Sequence, residues 1–173
     1  MTLPGAPVVA ALAVAGVACV WDVRTRRIPN ALTFGAAAVA FAFFLATDGL
    51  RACGLSLAGW VVGAAVFLPF FLLGGMGAGD VKLVAALGAW LGPAKVAWVA
   101  IFGGIAGGVL AIIVAASQGY LQQALWNLWH LLGFWKSSGP RPHPDLTLAG
   151  GKGPRLAYAV PITIGLVATL WLR

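Results

Sequence analysis

The sequence predicts an all-α, polytopic membrane helix bundle with about six transmembrane helices and one amphipathic helix at the interface. Three observations carry this expectation. Hydrophobic residues make up 61% of the chain and charged residues 9%, with a mean hydropathy of +0.97. A chain of this composition cannot cover a soluble surface with polar groups, so the bilayer must act as its solvent. Apolar runs then recur at lengths suited to crossing a bilayer as helices, and the basic residues fall between those runs.

The first run, Leu3–Trp21, leads directly into Asp22, and its start lacks the basic segment of a cleaved secretory signal. Ala31–Thr47 follows a proline, and Leu55–Gly74 follows a polar turn around Asp48. Pro29 cannot lie inside a helix and Asn30 is a favoured N-cap, so Ile28-Pro29-Asn30 reads as the start of the second span. Val81–Leu91 is short and closed by Gly92-Pro93; it is read as a true span, ahead of Val96–Ala116 and Leu156–Leu172. Tyr120–Trp135 differs from these. Leu121, Leu125, Leu128, Trp129 and Leu132 share one helical face and Gln123, Asn127 and His130 another, a pattern suited to a helix lying in the interface. Lys136–Pro154 reads as a polar connecting loop. The whole of 1–173 is thus expected to be one integral membrane domain, in which 119–154 forms the cytoplasmic interfacial helix and loop.

Charge orients the bundle. With six crossings, Arg24, Arg26, Arg27, Lys82, Lys136, Arg141, Lys152 and Arg155 share one side, and Arg51, Lys95 and Arg173 take the other. The positive-inside rule makes the eight-residue side cytoplasmic and places both termini outside. The same distribution argues against nucleic-acid binding as the meaning of the net charge of +7, leaving the bilayer itself as a partner. Cys19 and Cys53 lack Cys-x-x-Cys spacing, and His130 and His143 lack partners at ligand spacing, so neither a metal nor another cofactor is expected.

The chain contains only four acidic residues, Asp22, Asp48, Asp80 and Asp145, and no glutamate. Carboxylates at the ends of membrane spans are costly and mark functional sites. Asp80 has a plain alternative as a first-turn helix residue, and Asp22 has one as an i,i+4 partner of Arg26. Two crossings separate Asp22 from Asp80, however, which returns both to one face, while Asp48 lies at the other. Two carboxyl groups held close cannot both ionise cheaply, so one keeps a proton. Such a pair can activate a water and protonate a leaving amine. A helix N-terminus favours negative charge on Asp80, and Arg24, Arg26 and Arg27 favour it on Asp22, so the sequence leaves open which holds the proton.

Asp22 with Ile28-Pro29-Asn30, followed by Gly77-Ala-Gly-Asp80-Val-Lys82, resembles the type IV prepilin peptidases, the GxGD aspartyl proteases of bacterial inner membranes. The resemblance is strong from Trp21 to about Gly92 and looser beyond. It implies that Asp22 and Asp80 are the catalytic dyad, that Gly77 and Gly79 shape the bend, and that Lys82 fills the family's lysine position. The implied reaction removes a short basic leader from a prepilin substrate at the cytoplasmic face, after a glycine. Larger members carry a cysteine-containing insert and also N-methylate the product. Here only a short link joins Arg24 to Ala31, so the chain is similar to the compact, peptidase-only form of Flp-type pilus systems, without methyltransferase activity. Members often show a proline beside a tyrosine near the last span; here Pro161 lies three positions after Tyr158, and Tyr158 is read as an interfacial anchor. Two other readings compete: a non-catalytic membrane subunit of a pilus or secretion system, and a GxGD protease for other membrane substrates such as preflagellin-like proteins.

Overall fold

A computed structural model describes residues 5–143, 146–147 and 156–172. Asp145, Lys152, Arg155, Arg173 and most of the second half of the 136–154 loop lie outside the described residues. Among the described residues all regular structure is helical: α1 (Ala6–Thr25), α2 (Asn30–Leu72), α3 (Ala78–Ser117), α4 (Leu121–Ser138) and α5 (Ala159–Leu172). Helices α1, α2 and α3 are long and apolar enough to cross a membrane, and α5 is apolar but shorter.

Where the sequence predicts separate spans on either side of Asp48 and of Gly92, the structure has two long helices, each broken at one glycine. Gly49 (φ 77°, ψ −169°) divides α2, and Gly92 (φ 77°, ψ 173°) divides α3. This positive φ is open to glycine at little steric cost, so the chain reverses without a loop. Contacts to the first half of α3 establish the reversal. Asn30 meets Lys82 and Phe43 meets Trp90, whereas Ser56 meets Ala89 and Gly63 lies against Val84. The 30–48 half of α2 thus runs parallel to 78–91, and the 50–72 half runs antiparallel to it.

Segment 78–91 is the centre of the molecule. Every residue from Leu83 to Trp90 is buried, with Leu83, Val84 and Leu87 fully enclosed. A helix that is apolar on all faces belongs inside a bundle, which explains why this stretch shows no amphipathic period. At 1.5 Å per residue it is shorter than a ~30 Å hydrocarbon core. Its side chains meet protein, so that length is set by packing rather than by lipid.

Small residues allow the helices to close on this centre. Gly59 and Gly88 face each other at backbone contact, and Gly63 sits against the Val84 carbonyl. On the other side, Gly165 of α5 packs against the backbone of Gly103 and Val99. Such small-residue contacts are how helices associate where no water is present to drive burial. One polar contact has a specific cause. The break at Gly92 leaves carbonyls of the preceding turn without helical partners, and Ser56 Oγ donates to one of them, Ala89 O, at 2.6 Å. Helix α5 closes the bundle, running antiparallel to α1: Thr163 Oγ1 reaches Ala15 O, and the amide of Ala159 reaches Asp22.

Helix α4 keeps the amphipathic span expected of it, and Leu125, Trp126, Leu128, Trp129 and Leu132 are exposed. The described residue Thr147, beyond α4, packs on Gly74 at the bend between α2 and α3.

Candidate active site

The site forms at the end of the bundle where α1 finishes and α3 and α5 begin. Asp22 lies in the last turn of α1. Arg26 takes a left-handed conformation (φ 54°) and donates its amide to the Asp22 carbonyl at 2.8 Å, which ends the helix. The Asp22 side chain is 6% exposed. Its Oδ2 accepts the Ala159 N–H at 3.1 Å, one of the amides at the start of α5 that has no acceptor within its own helix. Asp22 thereby fixes the position of a helix far along the chain.

Asp80 is the third residue of α3, after the capping residue Gly77, and is 9% exposed. Its Oδ2 accepts the Gly77 N–H at 3.3 Å. A Cβ on Gly77 would sit 3.0 Å from that oxygen, so a side chain there would crowd the carboxylate. The first-turn role anticipated for Asp80 is therefore present, and the burial and company of the residue go beyond it. The two carboxyl groups are close enough to act on each other electrostatically. Each spends Oδ2 on a backbone amide, and among the described residues no hydrogen bond reaches either Oδ1. Two buried carboxyl groups with one oxygen each uncommitted are equipped to hold a water and pass protons.

The flanking motif residues lock the two stretches together. Ile28 is buried and packs on Gly79, where a Cβ would lie 3.3 Å from the Ile28 Cβ. Lys82 Nζ donates to Asn30 Oδ1 at 3.0 Å and lies 5.4 Å from the centre of the Phe34 ring. One detail corrects the sequence reading. Pro29, with extended backbone (φ −62°, ψ 135°), occupies the N-cap of α2, and Asn30 is the first helical residue. Its carboxamide oxygen is taken by Lys82 across the bundle, which a local capping rule does not foresee. Asp48 stands apart at the Gly49 break, exposed, accepting a hydrogen bond from Thr47 Oγ1 at 2.7 Å.

Tyr158, just ahead of α5, is half-buried, and its phenol lies within electrostatic reach of Asp80. Its ring meets Phe67 edge-on at 6.4 Å, and its hydroxyl fills the space left by the missing side chain of Gly107. Neither Gly107 nor the Ala159 amide carries any sequence signal of this role. Tyr158 offered only a tyrosine near the start of the last apolar run, Leu156–Leu172.

A family model described as the type IV leader peptidase family matches residues 9–112, more than half of the chain. The chain belongs to the type IV leader peptidase family. Within this leader peptidase match lie both aspartate motifs, the Ile28-Pro29-Asn30 stretch and Lys82, whereas Tyr158 and α5 lie beyond it. No curated protein and no solved structure matches the chain closely enough to add to this.

Proposed function

We propose that this leader peptidase is an aspartic endopeptidase in which Asp22 and Asp80 cut the short basic leader from a type IV, Flp-like prepilin at the cytoplasmic face of a bacterial inner membrane. The observation that carries the reading is that two buried carboxyl groups, from α1 and α3, stand at the same end of the bundle within electrostatic reach of each other. In the reaction, one carboxylate takes a proton from water as its oxygen bonds to the scissile carbonyl carbon. The other, protonated, gives its proton to the carbonyl oxygen, forming a gem-diol. Collapse of the gem-diol breaks the C–N bond: the first carboxyl gives its newly gained proton to the leaving amine, and a gem-diol hydroxyl returns one to the second carboxylate, restoring the dyad. Neither step needs a metal or an organic cofactor, and no methyl transfer is assigned to this chain.

The membrane arrangement proposed with it has six crossings: α1, the two halves of α2, the two halves of α3, and α5. Arg24, Arg26, Arg27 and Lys82 lie at the aspartate end, and Arg51 and Lys95 follow the glycine breaks at the other. That distribution supports a cytoplasmic active end with both termini outside. Gly77 and Gly79 shape the bend ahead of Asp80, Ile28, Pro29 and Asn30 brace it from the link into α2, and Lys82 ties the two.

The test is leader removal by purified protein in detergent, with a prepilin bearing a basic leader, a glycine at the cut and an apolar helix. Asp22→Asn and Asp80→Asn should each abolish cleavage while the protein still inserts, and Asp48→Asn and Asp145→Asn should retain it. Normal processing by either of the first two variants would remove the dyad.

A further inference from the structure

We infer that the Tyr158 hydroxyl is a third catalytic group of this site, donating a hydrogen bond to the oxygen of the scissile carbonyl as it becomes the gem-diol. The inference rests on the dyad reading above and adds to it a residue outside the matched motifs.

Five observations converge on this hydroxyl. The Tyr158 backbone is set by the first turn of α5, whose Ile162 amide donates to Tyr158 O at 3.2 Å. The next residue, Ala159, donates its amide to Asp22, so the phenol is tied to the dyad through one peptide unit. The ring is clamped by Phe67, nearly perpendicular to it at 87°. A Cβ on Gly107 would come within 2.5 Å of the hydroxyl, so only glycine leaves room for it there. Finally, the hydroxyl has no hydrogen-bond partner among the described residues, although it is half-buried and within electrostatic reach of Asp80. A packed tyrosine ordinarily finds a partner for its O–H. Here ring and backbone are fixed, the donor is unspent, and Asp80 of the dyad lies within electrostatic reach.

This complements what the dyad lacks. Each aspartate uses one oxygen on a backbone amide and keeps the other for water and proton transfer. The carbonyl oxygen gains electron density as water attacks, and a preorganised neutral donor beside it stabilises that change without reorganisation. Tyr158 keeps its proton throughout: the proton that ends on the carbonyl oxygen comes from the dyad, and the phenol supplies only the hydrogen bond.

Tyr158→Phe keeps the ring against Phe67 and removes only the donor. In the same detergent assay it should lower kcat roughly 100-fold, with KM changed by less than about 2-fold and the thermal midpoint preserved. Gly107→Ala should also lower kcat, by displacing the hydroxyl. In a Tyr158→Phe background it should lower kcat little further, because the group it displaces is gone. A Tyr158→Phe enzyme with wild-type kcat, or two losses that simply multiply, would overturn the proposal. Asp22→Asn run in parallel separates the two levels. If it is inactive while Tyr158→Phe is unimpaired, only the role of Tyr158 fails; if it cleaves at the wild-type rate, the dyad reading fails and this one with it.

Discussion

Replacing Gly63 with alanine tests how the bundle sets the spacing of the two aspartates. An ideal Cβ at Gly63 would lie 2.5 Å from Val84 O, 2.9 Å from Val84 C and 3.0 Å from Ala85 Cα. All three are backbone atoms, so no rotamer change relieves them. Restoring ordinary contact at about 3.4 Å requires the two helices to part by ~0.9 Å at this level. Val84 lies one turn beyond Asp80 on the same side of α3, so a rigid α3 carries Asp80 through a similar displacement. Asp22 does not follow, because α1 and the Ala159 amide hold it. Misplacement of reacting groups by about 1 Å costs up to ~100-fold in rate. Overpacking costs about 1–3 kcal/mol, against which alanine regains about 1 kcal/mol of helix propensity over glycine. Gly63→Ala should therefore lose about 0–2 kcal/mol of stability and 10- to 100-fold in kcat. Prepilin cleavage and thermal unfolding in detergent measure the two effects separately. Gly16→Ala and Gly35→Ala, at positions where a Cβ meets nothing within 4 Å, are the controls and should keep the full rate. A folded Gly63→Ala enzyme cleaving as fast as these controls would refute the idea that the α2–α3 contact sets the spacing.

Other expectations follow from single contacts. Ser56→Ala should lower the thermal midpoint by an amount equivalent to roughly 1 kcal/mol and leave kcat unchanged, since it strands only the Ala89 carbonyl at the far end; a loss of rate at unchanged stability would contradict this. Gly79→Ala presses a Cβ to 3.3 Å from Ile28 and should cost a few-fold in kcat, which steady-state kinetics will detect. Lys82→Met and Asn30→Ala should be coupled by about 1 kcal/mol, the double variant cleaving no more slowly than the worse single one. Additive losses would show that Lys82 acts elsewhere.

Much of the architecture was legible because membrane helices are written locally. Composition, the apolar runs and the amphipathic face of 121–132 depend on neighbours within a few turns. Two apolar runs between Asp22 and Asp80 were enough to predict that the pair comes to one end of the bundle. The motif spacing also made Gly77, Gly79 and Lys82 candidates. Legibility ended where one residue answers to another far along the chain. Gly49 replaces an expected turn with a single-residue reversal, and its need for a positive φ is decided by how 30–48 and 50–72 pack on 78–91. Asn30 was misread as a cap because the ammonium that takes its oxygen comes from α3.

The sequence by itself determined that this protein is a helical membrane chain of the leader peptidase family, and which two carboxylates deserved attention among four. The tertiary structure alone decided what surrounds them. It set the Ala159 amide on Asp22, the phenol of Tyr158 beside Asp80 and the cleft at Gly107 that admits it. The reason is physical. Helix formation and membrane affinity are sums over local residues, whereas a hydrogen bond or a backbone contact between α1, α3 and α5 exists only once the helices have packed.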